Sequence, residues 1–298
     1  MIRITELKLP LSAVPVEARR AADAPTETDA DRAPAPHPID ALKLLAAKAL
    51  GITPADIASL QVFKRSFDAR KAELLVVYIV DLALTDASRE AALLQAFDAH
   101  PHIAQSPDMA YHPVGLAPAG LTDRPVVVGF GPCGMFAALV LAQMGFRPIV
   151  LERGTTVRQR TKDTWGLWRK NNLNPESNVQ FGEGGAGTFS DGKLYSQIKD
   201  PRFLGRKVMA EFVKAGAPSE ILYEAHPHIG TFKLVKVVES IREQIIALGG
   251  EVQFGNRVVN LLLKQELSTQ HLRGLEVQNT IDNSTSELLA SHVVIALG

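Results

Sequence analysis

The fold of this 298-residue chain follows from residues 125–154, which read PVVVGFGPCGMFAALVLAQMGFRPIVLERG. This stretch opens with a short run of β-branched residues at 125–128, which is typical of a buried parallel strand. The turn GFGPCG at 129–134 fits the pattern G-x-G-x-x-G. Apolar residues continue to Gly145, which can cap a helix, and residues 147–151 form a second strand. The stretch therefore predicts a βαβ unit whose turn can hold a dinucleotide pyrophosphate.

Each glycine of the turn has its own expected task. Gly129 makes the turn, Gly131 lets a pyrophosphate approach bare backbone, and Gly134 lets the helix pack closely on the strand. Glu152 follows the second strand, 23 residues after Gly129. An acid that binds a ribose hydroxyl is expected about 20 residues on, so Glu152 is the candidate.

Two other structures could contain this stretch. One is a glycine-rich turn in an ordinary α/β domain, which would not explain the acid in register. The other is a membrane span, since residues 125–146 carry no charge and about 20 residues suffice to cross a bilayer. Three glycines and Pro132 interrupt the run where strand and helix meet, so no membrane span is expected.

Composition bounds the class of protein. The chain has 32 basic residues (lysine plus arginine) and 32 acidic residues (aspartate plus glutamate), so no overall charge draws it to nucleic acid or membranes. RNA binding through a local basic patch stays an open alternative. The single cysteine, Cys133, excludes an internal disulfide. His226 and His228 lack further ligands, so no metal is expected. The N-terminus has no apolar core for a signal peptide, and the expected location is cytoplasmic.

The first 115 residues predict a small α+β domain. The expected strands are 2–11, 61–67 and 73–84, and the expected helices are 39–50, 54–60 and 87–99. Residues 17–38 are rich in Ala, Asp, Thr and Pro and predict a flexible insertion. A basic group at the turn between the second and third strands favours a solvated hairpin end over an RNA contact; it comprises Lys64, Arg65, Arg70 and Lys71.

A second glycine-rich segment, NVQFGEGGAGTFSDGKL, occupies residues 178–194. Its backbone N–H groups can form an anion-binding nest or lie against a ring system. A linker would hardly include Phe181, Phe189 and Leu194, so the segment predicts a ligand-facing loop. Beyond it the pattern predicts helices at 156–171, 201–214 and 232–248, strands at 219–223, 251–254 and 287–297, and an antiparallel pair at 257–264 and 271–280.

Together these motifs resemble the bacterial family of FAD-dependent dehydrogenase-like proteins, most of which lack an assigned reaction. The resemblance covers nearly the whole chain and is carried by KRSFDARK at 64–71, the stretch 125–154, the loop 178–194, PHIGTFKL at 227–234 and VVIALG at 293–298. It implies an α/β fold in which a glutathione-reductase-like FAD-binding Rossmann domain, residues 122–298, follows the α+β domain. The late third strand is usual in FAD proteins rather than plain NAD domains.

The resemblance implies FAD as cofactor, with its pyrophosphate on the N–H groups of residues 131–134 and its adenosine ribose on Glu152. The charge of Glu152 disfavours a 2′-phosphate there. The expected cofactor-binding residues are Gly129, Gly131, Pro132, Cys133, Gly134, Glu152, Arg153, Gly184, Gly185, Ala186, Gly187, Thr188, Ser190, Asp191, Lys193 and Gly298. A packing role is expected for Cys133 rather than a redox role, because bound phosphate would oppose a thiolate.

The expected function is that of a flavoprotein oxidoreductase acting on a small molecule, with NAD(P)H as a candidate electron donor. No residue stands out as a catalytic acid or base. Two alternatives stay open: an RNA-modifying flavoenzyme, and a non-catalytic or truncated nucleotide-binding module. Similar proteins continue past the position of Gly298 into a substrate portion and a strand with a Gly-Asp pair. The chain is therefore expected to be the N-terminal part of a longer protein, with an incomplete FAD domain.

Overall fold

The structure is a computed structural model that describes residues 1–15, 37–70, 72–190, 192–196, 198–266 and 269–297. Most of the expected flexible insertion at 17–38 lies outside the described residues, as do Lys71, Asp191 and Gly298. The chain forms two compact units. The first comprises Met1–Ala110, Leu194–Ala210 and Pro218–His228, and the second comprises Tyr111–Lys193, Glu211–Ala217 and Ile229–Gly298. Residues 194–210 and 218–228, inside the expected second domain, thus pack in the first unit.

The first unit is built on a four-stranded antiparallel sheet of order β2-β3-β1-β4. The strands are β1 (Ile2–Pro10), β2 (Ile57–Asp68), β3 (Leu75–Leu84) and β4 (Ile103–Gln105), and the helices are α1 (Ile39–Leu50) and α2 (Ser88–Ala96). Strand β4 was not expected. A bulge in β1 lies between Ile4 and Leu7, where Glu6 has a φ of 60°. The bulge changes which side chains face the core, so that Ile2 and Ile4 are followed inward by Leu7 rather than Glu6.

Helix α1 begins and ends at the predicted residues. It buries Leu42, Ala46 and Leu50, and Gly51 ends it in the left-handed conformation at φ 66°. The predicted helix at 54–60 is wrong, because only a 3₁₀ turn, Pro54–Asp56, forms before β2. The side chains of Thr53 and Asp56 close this turn in a capping box, and pairing with β3 then extends the chain.

The outer edge of β2 is covered by a later part of the same unit. The N–H of Arg65 donates to the carbonyl oxygen of Tyr223 at 2.7 Å, and the N–H of Ala225 donates to the carbonyl oxygen of Arg65 at 3.1 Å. The predicted strand at 219–223 is wrong, since Ser219–Leu222 forms a 3₁₀ turn after Pro218. Only the residues just after that turn pair with the strand, through a parallel bridge between Arg65 and Glu224.

The second unit contains a four-stranded parallel sheet of order β11-β5-β6-β7. Its strands are β5 (Val126–Val128), β6 (Ile149–Glu152), β7 (Glu251–Phe254) and β11 (Val293–Ile295), and α3 (Pro132–Gln143) connects β5 to β6. The expected βαβ unit and the mixed α/β class with a parallel sheet are confirmed. In chain order the strands lie as 3-2-1-4, which matches the first four positions of the order 3-2-1-4-5-6 in dinucleotide-binding sheets. The carboxyl ends of β5 and β6 therefore lie side by side.

Helices α4 (Val157–Lys170), α5 (Leu204–Lys214) and α6 (Thr231–Ala247) occur between β6 and β7. A three-stranded antiparallel sheet of order β10-β9-β8 follows, formed by β8 (Asn256–Glu266), β9 (Thr269–Asn279) and β10 (Thr285–Leu289). The predicted single strand at 287–297 is wrong: β10 ends in this sheet and β11 joins the parallel one. Buried Leu275 and Val277 of β9 pack in one core cluster with Val126 of β5. Within the described residues, no helix is long and apolar enough to cross a membrane.

Candidate functional site

A cavity of about 610 Å³ opens at the carboxyl ends of β5 and β6, within the second unit. Its lining brings together the glycine turn after β5, the end of β6 and part of the second glycine-rich loop. Eight of the residues predicted to bind a cofactor line it, namely Gly129, Gly131, Pro132, Cys133, Glu152, Arg153, Gly185 and Ala186.

The glycine turn is tight enough to exclude side chains at two positions. Gly129 has a φ of 95°, and a Cβ there would lie 2.8 Å from the carbonyl oxygen of Ala296. A Cβ on Gly134 would lie 1.9 Å from the carbonyl oxygen of Gly129. The structure thus shows the turn-making and close-packing tasks expected of these glycines.

Helix α3 begins at the cavity. Gly131 is its N-cap residue, and Pro132, which has no N–H, occupies its first position. The following N–H groups of the first turn lack intrahelical partners and carry a partial positive charge. The first turn contains no acidic residue that would neutralise it. This end of the helix can therefore take an anionic group of a ligand.

Glu152 ends β6 and is only 4 % exposed. Its Oε2 accepts a hydrogen bond from the N–H of Phe130 at 2.8 Å, and its Oε1 accepts one from the N–H of Gly154, also at 2.8 Å. A carboxylate has about four acceptor positions, so two remain for hydroxyl groups that enter the cavity. Glu152 can hold the glycine turn and a ribose at the same time.

The second glycine-rich loop lies directly against the first turn. The N–H of Gly184 donates to the carbonyl oxygen of Phe130 at 2.9 Å. Gly185 has a φ of 66°, and a Cβ there would lie 2.8 Å from Cδ of Pro132 and 3.3 Å from Cα of Gly131. Only glycine fits at position 185, and the two glycine segments form adjoining parts of the cavity wall.

Arg160 on α4 holds this loop, and the sequence analysis did not identify it. Its side chain is fully buried. Its guanidinium donates at 2.7–2.8 Å to the carbonyl oxygens of Asn178, Val179, Glu183 and Gly185. Burial lowers the pKa of Arg160 to about 10. The nearby carboxylates of Glu152 and Glu183 have the opposite, smaller effect and raise it. At neutral pH the guanidinium is charged. Nothing in the sequence distinguishes Arg160 from Arg158, which is exposed and pairs with Glu239.

The loop has a second anchor in Glu183, whose side chain is fully buried. Its Oε2 accepts a hydrogen bond from the N–H of Val157, the first residue of α4, at 2.6 Å. Both its carboxylate oxygens also accept from Nη1 of Arg242 on α6, at 2.9 and 2.7 Å. Burial raises the pKa of Glu183, whereas Val157 and Arg242 oppose that rise. Glycines supply the loop's shape, and Arg160 and Glu183 fix it.

Two arginines in another part of the lining, Arg153 and Arg257, form hydrogen bonds to the same acidic residue, Glu176. Glu176 accepts from Nε of Arg153 at 2.7 Å and from Nη1 of Arg257 at 2.9 Å. The guanidinium of Arg153 also lies 4.2 Å from the ring centroid of Phe181. Arg153, Arg257 and Phe181 all line the cavity, and together they offer planar groups on which a base can stack. Of these three, only Arg153 was predicted to bind a cofactor.

Six further predicted residues are described but do not line the cavity. Gly134 and Gly184 pack against other residues of the two glycine segments and do not line the cavity themselves. Thr188 is buried, with its Oγ1 3.5 Å from Nη1 of Arg160. The hydroxyl of Ser190 donates to the carbonyl oxygen of Gly187 at 2.7 Å. Lys193 is exposed. Asp191 and Gly298 lie outside the described residues, and cofactor binding stays a prediction for all sixteen residues.

Two of the four members of the basic group of the first unit form ion pairs. Nε of Arg65 donates to Oε1 of Glu224 at 2.9 Å, and Nη2 of Arg70 donates to Oδ2 of Asp68 at 2.6 Å. Lys64 is exposed, and Lys71 lies outside the described residues. Among described residues, no group of three or more His, Cys, Asp or Glu side chains is placed to hold a metal ion.

Sequence comparison relates the chain to proteins whose own functions are not described. Residues 1–83 match the model of a domain of unknown function, DUF8436. An uncharacterized protein of Clostridium beijerinckii is 44 % identical over 218 residues, which are 73 % of this chain and 40 % of that protein. The chain thus spans less than half the length of this relative.

Solved structures match part of the chain at low sequence identity. The chain is similar to THI4 of Thermovibrio ammonificans, with 20 % identity, a TM-score of 0.41 and coverage of 59 % of this chain and 57 % of that one. It is also similar to the glycerol-3-phosphate dehydrogenase of Bacillus halodurans complexed with FAD, with 13 % identity, a TM-score of 0.37 and coverage of 59 % and 34 %.

Proposed function

We propose that this chain binds FAD and is the FAD-binding part of an oxidoreductase. The observation that carries the proposal is the convergence of two glycine segments and Glu152 on one cavity. The turn at 129–134 suits the pyrophosphate, and Glu152 suits the adenosine ribose. The second glycine-rich loop suits the flavin side of the dinucleotide, from its phosphate to the ribityl chain. A volume of about 610 Å³ falls within the range of small-molecule sites.

The residues present fit this cofactor. A side chain at Gly131 or Gly185 would project where the two glycine segments adjoin, since a Cβ on Gly131 would lie 3.8 Å from Cα of Gly185. Bare backbone at both positions leaves room for phosphates beside the start of α3. Glu152 would accept hydrogen bonds from the ribose hydroxyls, and its charge would disfavour a ligand with a 2′-phosphate there.

FAD, when bound, supplies the hydride and electron chemistry of such enzymes. The part of this chain is to hold the pyrophosphate at the start of α3, to orient the ribose through Glu152 and to keep the glycine-rich loop rigid through Arg160 and Glu183. NAD(P)H is the electron donor that we propose, and a small molecule is the proposed acceptor.

The test is a binding titration on the 298-residue chain. FAD is added to purified protein, unbound flavin is removed by gel filtration, and retained flavin is measured by its visible absorbance. We expect retention of FAD and weaker retention of FMN, which lacks the adenosine that Glu152 would hold. The Glu152→Ala variant should lose FAD, whereas Glu251→Gln, an exposed acid at the start of β7, should retain it. A folded wild-type chain that retains no FAD contradicts the proposal.

A further inference from the structure

The bonds of Arg160 set the direction of the peptide groups in the glycine-rich loop. A trans peptide is planar, so the N–H that follows a carbonyl points to the opposite side. The peptide between Glu183 and Gly184 shows this directly. Its carbonyl oxygen accepts from Arg160 at 2.7 Å, and its N–H donates away from Arg160 to the carbonyl oxygen of Phe130 at 2.9 Å.

The same rule applies two residues later, to the peptide between Gly185 and Ala186. The carbonyl oxygen of Gly185 accepts from Nη1 of Arg160 at 2.7 Å. The N–H of Ala186 is therefore directed away from Arg160. Gly185 and Ala186 line the cavity, and Gly185 packs against Pro132 at the start of α3. A donor at Ala186 thus lies close to the amide groups that open the helix.

The charge of Arg160 lies on the carbonyl side of the loop, opposite the N–H of Ala186. Among the described residues, its hydrogen bonds go to main-chain carbonyl oxygens and, at 3.5 Å, to the hydroxyl of Thr188, and none goes to a carboxylate. The carboxylate of Glu183 is already engaged by Arg242 and Val157. The carboxylates of Glu152 and Glu183 lie near Arg160 without a hydrogen bond to it, and across the loop its charge adds an attraction for an anion in the cavity.

We propose that Arg160 is a positioning residue that orients the peptide between Gly185 and Ala186, so that the N–H of Ala186 donates to a pyrophosphate oxygen of the bound dinucleotide. The inference rests on the proposed function, since it names how this chain would hold the cofactor's anionic centre. Arg160 itself need not touch the ligand.

The test compares ADP with adenosine, because only ADP carries the phosphates that the Ala186 N–H would contact. Affinities are measured for the 298-residue chain by competition with FAD. Arg160→Gln removes the planar guanidinium, with its several N–H donors, and its positive charge. Ala186→Pro removes the proposed donor by placing a ring carbon on its nitrogen, at an exposed residue that begins a 3₁₀ turn, a position that suits proline. Arg158→Gln on the same helix, an exposed arginine that pairs with Glu239, is the matched control.

We expect ADP affinity to fall about tenfold or more in Arg160→Gln and Ala186→Pro, while adenosine affinity changes less than about twofold. Arg160→Lys keeps the charge and should recover part of the loss. The Arg158→Gln control should bind ADP as the wild type does. Arg160→Gln adds no bulk to the cavity, so agreement between the two variants excludes a steric effect of proline.

Equal losses of ADP and adenosine in folded variants would show that Arg160 only maintains the fold, and unchanged ADP affinity would show that the Ala186 N–H is not a donor. Either result overturns the inference. If Arg160→Gln does not fold, Ala186→Pro is compared with Ala186→Val, which adds bulk at the same residue but keeps its N–H and should bind ADP as the wild type does. A wild-type chain that binds neither FAD nor ADP contradicts the proposed function itself, which is a separate result.

Discussion

The carboxylate of Glu152 accepts a hydrogen bond at 2.8 Å from the main-chain N–H of Phe130, 22 residues earlier in the chain. The bond joins the end of β6 to the turn after β5, across two neighbouring parallel strands. Its second oxygen accepts from Gly154, so one buried acid fixes two segments that line the cavity. A residue that sequence reasoning assigns to a ligand thus also holds the site's backbone in place.

Replacing this acid should therefore cost stability as well as affinity. Glu152→Ala leaves the N–H groups of Phe130 and Gly154 without their acceptor, and we expect the free energy of unfolding to fall by about 1–3 kcal/mol. FAD affinity should fall at least about tenfold. Glu152→Gln keeps one oxygen acceptor and should lose less stability. Urea denaturation and flavin titration measure the two effects, and an Ala variant of unchanged stability would contradict the structural role.

Close packing at the glycine turn predicts the effect of one methyl group. In Gly134→Ala the new Cβ would lie 1.9 Å from the carbonyl oxygen of Gly129, so backbone must move. We expect a loss of at least about 1–3 kcal/mol in unfolding free energy, with loss of FAD binding. Gly115→Ala is the control, since its Cβ meets nothing within 4 Å. Thermal unfolding of the two variants in parallel distinguishes a local clash from a general cost of replacing glycine.

The buried Glu183 predicts a pH dependence with a definite sign. Burial raises its pKa in the folded state, so the folded protein binds this proton more tightly than the unfolded chain does. Its contribution is fully present below the unfolded pKa of about 4.5 and is lost as pH rises through the folded pKa. The stability of wild type minus that of Glu183→Gln should therefore decrease with rising pH in that window. An increase would mean that Arg242 and Val157 outweigh burial.

The core of the first unit gives an independent check of its sheet. Leu82 of β3 is fully buried and lies opposite Ile2 of β1 and Leu60 of β2. Leu82→Ala should lower the unfolding free energy by about 2–5 kcal/mol. Leu44→Ala on α1 removes the same atoms from a side chain that is 60 % exposed, and its cost should stay within about 0.5 kcal/mol. Similar costs in urea denaturation would contradict the placement of Leu82.

Local chemistry explains which features the sequence predicts well. The β-branched run before Gly129 and the glycine after the helix are short-range signals, and the βαβ unit follows from them. Helix α1 is bounded in the same way by Gly51. The single strand predicted at 287–297 failed because its two halves pair with different partners far away in sequence. No local signal marks that change at Ala290, whose N–H bonds to the carbonyl oxygen of Arg273.

The residues of the candidate site also fall into those that local sequence identifies and those that depend on distant contacts. Residues whose task depends on lacking a side chain, such as Gly129 and Gly185, could be identified from the glycine pattern. Arg160 could not, because its burial depends on carbonyl groups 18–25 residues later that fold back over α4. Arg257 joins the cavity wall through tertiary packing alone, and its type would suit an exposed position equally well. The apolar type of Phe181 indicated a packed loop but not its place in the cavity wall.

The pairing of residues 223–225 with β2 bears on how this protein can be divided. A fragment ending at residue 83, where the matched domain family ends, or at residue 110 would keep all of β2 but lose the segment that covers its outer edge. The N–H and carbonyl groups of Arg65 would then face solvent on an open strand, a template for association between copies. Residues 223–225 cover this edge in the whole chain, so we expect a fragment that lacks them to associate more readily than one that contains them.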